Sequence, residues 1–596
     1  MYRNVTYNPR DESYTLFTWD KDGNRIAPEV SYSPYVYIET KQETGIKSLF
    51  KTNLKKKIFK TQKDRSIFTK TCGIERLFEN ISTDQQFLID QFHTKNQDDD
   101  FSVNPLKVMF IDIETYSPDH FPTPDKAPDP INVITIYDTI QEKFISWGTK
   151  KLDKDIENCT YAYCTSEASL LDCFLNYIQQ DYPDILTGWN SEFFDIPYII
   201  NRISKILGED EAKRLSPINN VYSTTRQGLF GSLQTRWYIK GVSCIDYLDV
   251  YKKFSIGLRE SYKLDAIAEH ELGDRKVDYG NTNLSSLADE DWQTFVEYNV
   301  QDVNLLVKME DKLRYLELLR MLAYTGLTTF ESAMGTLSVI TGACVIKARE
   351  SNKIIPTFTK TGTGERYEGA YVGEPQRGFQ ENIISFDANS LYPNTMISLN
   401  LSPETKVGKI IDNNDTHVTI KHVNGQVYEI ESNKFLDFID REQISISRAK
   451  VLFTQKYKGI VPEIVDKLYQ SRVEIKKNLT KYKRQLSKLK DTDNEYANIK
   501  RLADQADIKQ FTIKILINTV YGYFGNKYAP MGDSDIARSI TLTGQAVIKQ
   551  SNKILKEYIY KRAKIDNTAA CDPIIYNDTD SSYISIKSII DNCNIE

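Results

Sequence analysis

The chain has 596 residues, 40 % of them hydrophobic and 27 % charged, with a formal net charge of −6; at roughly 100–200 residues per domain it holds about three to five domains rather than one core. No apolar run reaches the roughly 18 residues that a membrane span needs, so nothing anchors the chain in a membrane. The eight cysteines are scattered without a Cys-x-x-Cys pair, which argues against a zinc site or a disulfide framework, and the opening Met1-Tyr2-Arg3-Asn4-Val5-Thr6 lacks a secretory or transit profile, so a cytoplasmic protein is expected.

Residues 1–106 alternate short aromatic and β-branched runs with turn residues, as in Ser33-Pro34-Tyr35-Val36-Tyr37-Ile38, and then carry a basic stretch around Lys55-Lys56-Lys57. This predicts a β-rich domain. From Lys107 buried apolar strands alternate with helices over 169–180 and 291–319, the pattern of a three-layer α/β domain ending near Tyr315. A helical connector runs from Leu316 to about Asn352. A second α/β region opens with the strand Ile383-Ile384-Ser385-Phe386-Asp387, and Asn424-Gly425 favours a type I′ hairpin turn. Two long helices are predicted over about 464–490 and 497–520, with Asp491-Thr492-Asp493-Asn494 as the bend between them. Net acidity does not exclude a nucleic-acid partner, because the local field steers DNA. Lys467–Lys490 holds nine basic residues against the single acid Glu474.

Asp112 and Glu114 stand two apart in the apolar strand Val108-Met109-Phe110-Ile111-Asp112-Ile113-Glu114-Thr115, so both project from one face. A strand end meeting solvent explains two acids there; burying both calls for a cation. Asp195 closes the stretch Leu186–Asp195, and Tyr298 and Asp302 lie one helical turn apart on one face. Four acids and a phenol suit a site with two divalent ions about 3.5–4 Å apart, which lower the pKa of an attacking water and stabilise a departing 3′-oxygen while the phenol orients that water.

A second set begins at Ser385-Phe386-Asp387-Ala388-Asn389-Ser390-Leu391-Tyr392-Pro393, a carboxylate at a strand end followed by a turn whose N–H groups can hold a triphosphate. Asp578 and Asp580 in Tyr576-Asn577-Asp578-Thr579-Asp580-Ser581 can converge on Asp387, the geometry that nucleotidyl transfer requires. Between them Arg472 and Lys476 are four apart, and Lys514, Asn518 and Tyr521 recur at helical spacing before Gly522. Such a face is either an ordinary solvated helix or a cradle for a metal-bound triphosphate, with Tyr521 and Gly522 flat against a nascent base pair.

The first constellation resembles the DEDD-type 3′→5′ exonuclease domain of the Tyr-containing subclass, with Asp112, Glu114, Asp195 and Asp302 as metal ligands and Tyr298 as water positioner. The order of all the motifs resembles family B DNA polymerases, most nearly those of T-even-type bacteriophages. Shared stretches include Leu186–Ile196, Ala212–Pro217, Ile245–Phe254 and Asn400-Leu401-Ser402-Pro403-Glu404-Thr405. The resemblance implies an α/β and α+β multidomain protein: an N-terminal domain over 1–106 to which 315–358 returns, an RNase H-like exonuclease domain over 107–314, palm over 359–458 and 527–596, and inserted two-helix fingers over 459–526. It implies that Asp387, Asp580 and the Ala388 carbonyl bind two Mg2+ (or Mn2+) ions, that Asp578 tunes the site, and that Ser390, Leu391, Tyr392, Arg472 and Lys514 hold the incoming deoxynucleotide. Primer–template DNA and deoxynucleoside triphosphates are then the partners. Tyr392 would lie under the sugar, where a ribose 2′-hydroxyl collides, and residues about 223–240 resemble a hairpin that parts primer from template.

Three residues depart from the family pattern: Asn394 and Thr519 where Ser is common, and Asn577 where Gly precedes Asp-Thr-Asp. Gly there permits a positive φ and close primer approach; Asn tolerates left-handed backbone but needs room, which allows slower extension. Family members continue into the rest of the palm, a thumb and a clamp-binding tail, whereas this sequence stops sixteen residues after Asp580. The expectation is one half of a split polymerase, lacking the thumb, completed by a second polypeptide that also brings the sliding clamp. Its alternatives are an exonuclease whose palm only binds DNA and a DNA-binding replication scaffold.

Overall fold

The computed structural model describes residues 1–94, 104–118, 120–227, 233–255, 257–277, 284–357, 368–490, 492–493, 495–563 and 572–593. Its contacts divide the chain into two units, Met1–Ser33 with Ser82–Gly335 and Pro34–Ile81 with Thr336–Glu596. The first 106 residues are thus shared between units rather than forming one body. Long-range pairing is the reason: Lys47–Ser48 takes Lys353–Ile354 as a parallel partner, and Glu79 donates its N–H to the Ile355 carbonyl. In the other unit, buried Arg3 reaches Asp184 at 2.6 Å.

The first unit is built on a six-stranded sheet in the order Cys159–Tyr163, Lys143–Gly148, Ile131–Asp138, Val108–Thr115, Ile185–Thr187, Ser243–Cys244. Alternation along its fourth strand decides what each face does. Met109, Ile111 and Ile113 enter a core with the helices Glu167–Gln180 and Asp195–Ile206. Asp112 and Glu114 turn the other way, to the face covered by the helix Trp292–Leu313, whose Phe295, Val296 and Val300 pack on Val133. The single helix predicted over 291–319 is two. Arg314 adopts a left-handed φ of 54°, and the Glu310 carboxylate accepts the N–H groups of Tyr315 and Leu316 at 3.0 Å, starting a second helix, Tyr315–Gly326.

The second unit contains a three-stranded antiparallel sheet in the order Ile383–Asp387, Ser581–Ser585, Ile574–Asp578. Beside it in sequence lies a five-stranded antiparallel sheet, Val427–Glu431, His417–His422, Lys406–Asn413, Val451–Thr454, Ile444–Ile446. The Asn424-Gly425 turn is not type I′: Asn424 has no positive φ, only Gly425 does (89°), and a longer loop closes with the His422 N–H on the Gln426 carbonyl at 2.8 Å. The long helices run Ile460–Leu486 and Tyr496–Gly525 and pack through Leu479, Ala503 and Ala506. Asp491 and Asn494 of the predicted bend lie outside the described residues, as do the predicted palm start at 359 and residues 228–232 of the segment 223–240 read as a hairpin. The Asn400–Thr405 stretch has a structural task. Asn400 Oδ1 accepts the Gly459 N–H at 2.8 Å and Glu404 Oε1 the Ile460 N–H at 2.6 Å, capping the first long helix.

Candidate active sites

In the first unit Asp112, Glu114 and Asp302 each offer an oxygen such that all three lie within 4.8 Å of one another, the one such carboxylate group found among the described residues. They line a cavity of about 510 Å³ with Asp195, Lys276 and Tyr298. Asp195 enters at the first turn of its helix and accepts the Ile113 N–H at 3.2 Å. The loop before it is held by Asp246, which accepts the N–H groups of Asn190 (3.0 Å) and Glu192 (3.2 Å). Gly188 is required there, since a Cβ would stand 2.5 Å from the Ile111 carbonyl oxygen.

The electrostatics of this cavity call for a cation. Burial, then the charges of Asp195, Asp302 and Glu114, push the Asp112 carboxyl well above the usual range. Burial and Asp302 raise Glu114 to about 8, and burial raises Asp195 to about 7 against two backbone hydrogen bonds. Asp302, only 3 % exposed, keeps a buried Oδ1 without a partner. An orphaned carboxylate oxygen amid mutually repelling acids fits a divalent ion, which takes oxygen ligands.

Two residues of this site carried no sequence signal. Lys276 pairs with Asp302 and donates to Tyr298 Oη at 2.9 Å; burial pulls its pKa down, but Asp302, Tyr298 and Asp112 outweigh that and raise it. Asn299, fully buried, donates to Asp112 Oδ2 at 2.6 Å. Lys276 lies in an irregular segment, so no periodicity marks it; Asn299 adjoins Tyr298 on the helix and its position follows only from the packing. Phe121 stands 80 % exposed on the rim.

In the second unit the sheet register places Asp387 opposite Ser581, and Asp578 opposite the same serine on the other side. Ser581 Oγ donates to Asp387 Oδ2 at 2.8 Å, and the Ala388 N–H donates to the Asp580 carbonyl at 2.8 Å. Burial, then the Asp387 and Asp578 charges, raise the Asp580 carboxyl. The register thus sets Asp387, Asp578 and Asp580 at one end of the sheet, although they are not among the acids that close to within 4.8 Å of one another. Ser390 takes a left-handed φ of 53° before the helix Leu391–Leu399. Tyr392 is half-buried, its ring 5.1 Å from that of Tyr521, and a Cβ on Gly544 would come within 2.9 Å of it.

Along the long helices Lys476, Lys514, Asn518 and Gly522 are exposed, while Ile513, Leu516, Ile517 and Val520 are buried. Arg472, Lys476 and Lys514 have no ion-pair partner among the described residues, and Arg472 keeps a buried Nε–H without an acceptor. Asn394 and Thr519, the two mild departures, bond locally to the Asn389 and Ile515 carbonyls. For Asn577 the concern over a left-handed backbone is corrected. The positive φ belongs to Thr579 (53°), one residue past Asp578, because that is where the hairpin turns.

Residues 335–593 match the family model described as DNA polymerase family B, and residues 72–267 match its exonuclease domain. The chain thus contains family B DNA polymerase domains. It is similar to the DNA-directed DNA polymerase of Escherichia phage RB69, 29 % identical over 96 % of this chain and 68 % of the relative, and to that of Enterobacteria phage T4, 28 % identical over 97 % and 69 %. The DNA polymerase delta catalytic subunit of Caenorhabditis elegans is 28 % identical over 70 % of this chain and 36 % of its own length. The chain is thus a DNA-directed DNA polymerase with an exonuclease domain. Tyr298 and Asp302 lie beyond the matched exonuclease range, and it is the geometry that joins them to Asp112 and Glu114. No described helix is long and apolar enough to cross a membrane.

Proposed function

We propose that the first unit removes nucleotides from a DNA 3′ end and the second adds them, each by phosphoryl transfer at carboxylates that hold two divalent ions, Mg2+ foremost. The closing of Asp112, Glu114 and Asp302 to within 4.8 Å, with an unpartnered Asp302 oxygen, carries this reading. The ions supply charge that activates water or a primer hydroxyl and stabilises the departing oxygen. Asp112, Glu114, Asp195 and Asp302 hold them in the first unit. Tyr298 orients the attacking water, and Lys276 fixes the phenol from one side. Phe121, exposed at the rim, offers a face on which a terminal base stacks.

In the second unit Asp387, Asp580 and the Ala388 carbonyl are the ligands, and Asp578 tunes them. The helices Ile460–Leu486 and Tyr496–Gly525 act as fingers: Arg472, Lys476, Lys514 and Asn518, with Ser390 and Leu391, hold the triphosphate, whose charge the cations Arg472, Lys476 and Lys514 match. Tyr392 bars a ribose 2′-hydroxyl, and Tyr521 and Gly522 border the nascent pair.

Further polypeptide covers the palm sheet. The support is the edge strand Ile383–Asp387, whose Ile383, Ile384 and Phe386 are each 46–47 % exposed, an apolar edge that soluble proteins normally pair or cover. The phage relatives carry their additional length on one chain, so a separate second polypeptide draws no support from them. The test is the chain on a 5′-labelled primer–template with Mg2+. Shortening without nucleotides and lengthening with them are expected, both lost in EDTA; shortening that persists in EDTA would remove the metal-dependent mechanism.

A further inference from the structure

Asn577, which replaces the family's glycine, is not a passive substitution. Its side chain is 3 % exposed, and it meets Ser582 at 1 % and Asn552 at 8 %. Asn577 Nδ2 donates to Ser582 Oγ at 2.7 Å, Ser582 Oγ donates to Asn552 Oδ1 at 2.8 Å, and Asn552 Nδ2 donates to Asn577 Oδ1 at 3.0 Å. Asn577 Nδ2 also lies 3.5 Å from Asn552 Oδ1 and 3.4 Å from the Ser581 carbonyl, so the three side chains close a circuit in which every member depends on the others.

The ring spans three elements. Asn552 lies on the helix Ser534–Ala563, and Asn577 and Ser582 are register partners on the two strands of the hairpin. The turn they bracket is Asp578-Thr579-Asp580-Ser581. Alternation sends Asn577 inward, while its neighbour Asp578 is exposed on the open face. The turn's other ties are the Thr579 N–H to the Tyr371 carbonyl at 2.9 Å, the Gly373 N–H to the Asn577 carbonyl at 3.0 Å, the Ala388 N–H to the Asp580 carbonyl at 2.8 Å and Ser581 Oγ to Asp387 Oδ2 at 2.8 Å, none of which reaches the helix Ser534–Ala563. Gly373 also leaves room for the Asn577 side chain, since a Cβ there would lie 3.3 Å from Asn577 Cβ.

We infer that Asn552, Asn577 and Ser582 form a positioning ring that locks the Asp578–Asp580 turn to the helix Ser534–Ala563 and so sets where these acids stand relative to Asp387. The inference rests on the polymerase reading of those acids. A glycine at 577 would lose the ring, and with it the side-chain tie of the turn to the helix Ser534–Ala563, leaving the backbone bonds and the Ser581–Asp387 hydrogen bond.

The test uses the full chain carrying Asn577→Gly, Asn552→Ala, or both, and reads hydrogen exchange over Thr579–Ser582 together with single-nucleotide addition. Each single variant is expected to speed exchange at the turn about 10-fold, the scale of one or two unsatisfied buried groups. The double variant should add little, because a broken circuit has nothing further to lose. Primer shortening, which is carried by the other unit, stays at the wild-type rate and reports that the variants fold. The turnover rate of addition falls about 10-fold or more, while the KM for nucleotide moves less than about 3-fold. Unchanged exchange in both single variants, or additive effects in the double, overturns the ring. A wild-type chain that adds no nucleotide defeats the polymerase reading separately, and the exchange data still decide the ring.

Discussion

Replacing Lys276 by Met keeps the aliphatic stem and removes a cation that faces the nuclease acids through Asp302 and Tyr298. Without divalent ions, the buried Asp302 carboxylate is left beside Asp112 and Glu114 with nothing to balance it. Breaking a buried pair costs about 3–5 kcal/mol; the lysine side chain is 26 % exposed and its partner 4 %, which places this case at the lower end, about 3 kcal/mol. At about 2 °C per kcal/mol for a unit of this size, the melting temperature in EDTA should fall by about 6 °C. Added Mg2+ restores the missing charge, and a site occupied at 100 times its Kd gains about 2.7 kcal/mol. Lys276→Met should therefore be protected by Mg2+ more than the wild type, in which the ammonium competes for the same oxygens. Scanning calorimetry of both proteins in EDTA and in Mg2+ measures this. Equal melting temperatures in EDTA, or a deficit that Mg2+ leaves untouched, would refute the view that Lys276 stands in for metal charge.

Asp302→Asn removes a charge and a ligand oxygen, and primer shortening should fall at least about 100-fold while nucleotide addition persists; a labelled-primer gel shows whether it does. Asp580→Asn should produce the mirror image, with addition lost and shortening retained, and loss of both activities would contradict two independent sites. Tyr392→Ala opens the space beside Tyr521, so ribonucleotide incorporation should rise about 10-fold or more relative to deoxynucleotide, and an unchanged ratio rules out the steric role.

Much of both sites was legible because their chemistry has a local period. Two acids two apart on a strand, and Tyr298 with Asp302 one turn apart on a helix, share a face whatever the rest of the chain does. The exposed row of Lys514, Asn518 and Gly522 follows from the same rule. What failed was also local in origin: Asn424-Gly425 has the residues of a type I′ turn, but the loop is longer and only Gly425 goes left-handed. The helix predicted through 319 breaks at Arg314, because the Glu310 carboxylate is turned back on the N–H groups of Tyr315 and Leu316 and starts a new helix there.

The amino-acid order alone placed Asp112 and Glu114 on one face, and Tyr298 and Asp302 on another, and through the motif sequence pointed to family B DNA polymerase domains. Only the folded chain could show that Lys276 enters the nuclease cavity, that Asn299 holds Asp112, and that Asn577 is a ring member rather than a strained stand-in for glycine. The division has one physical cause. Side-chain direction is fixed by backbone period over a few residues, but a hydrogen bond between residues 25 or 187 positions apart is fixed by how strands and helices close on one another.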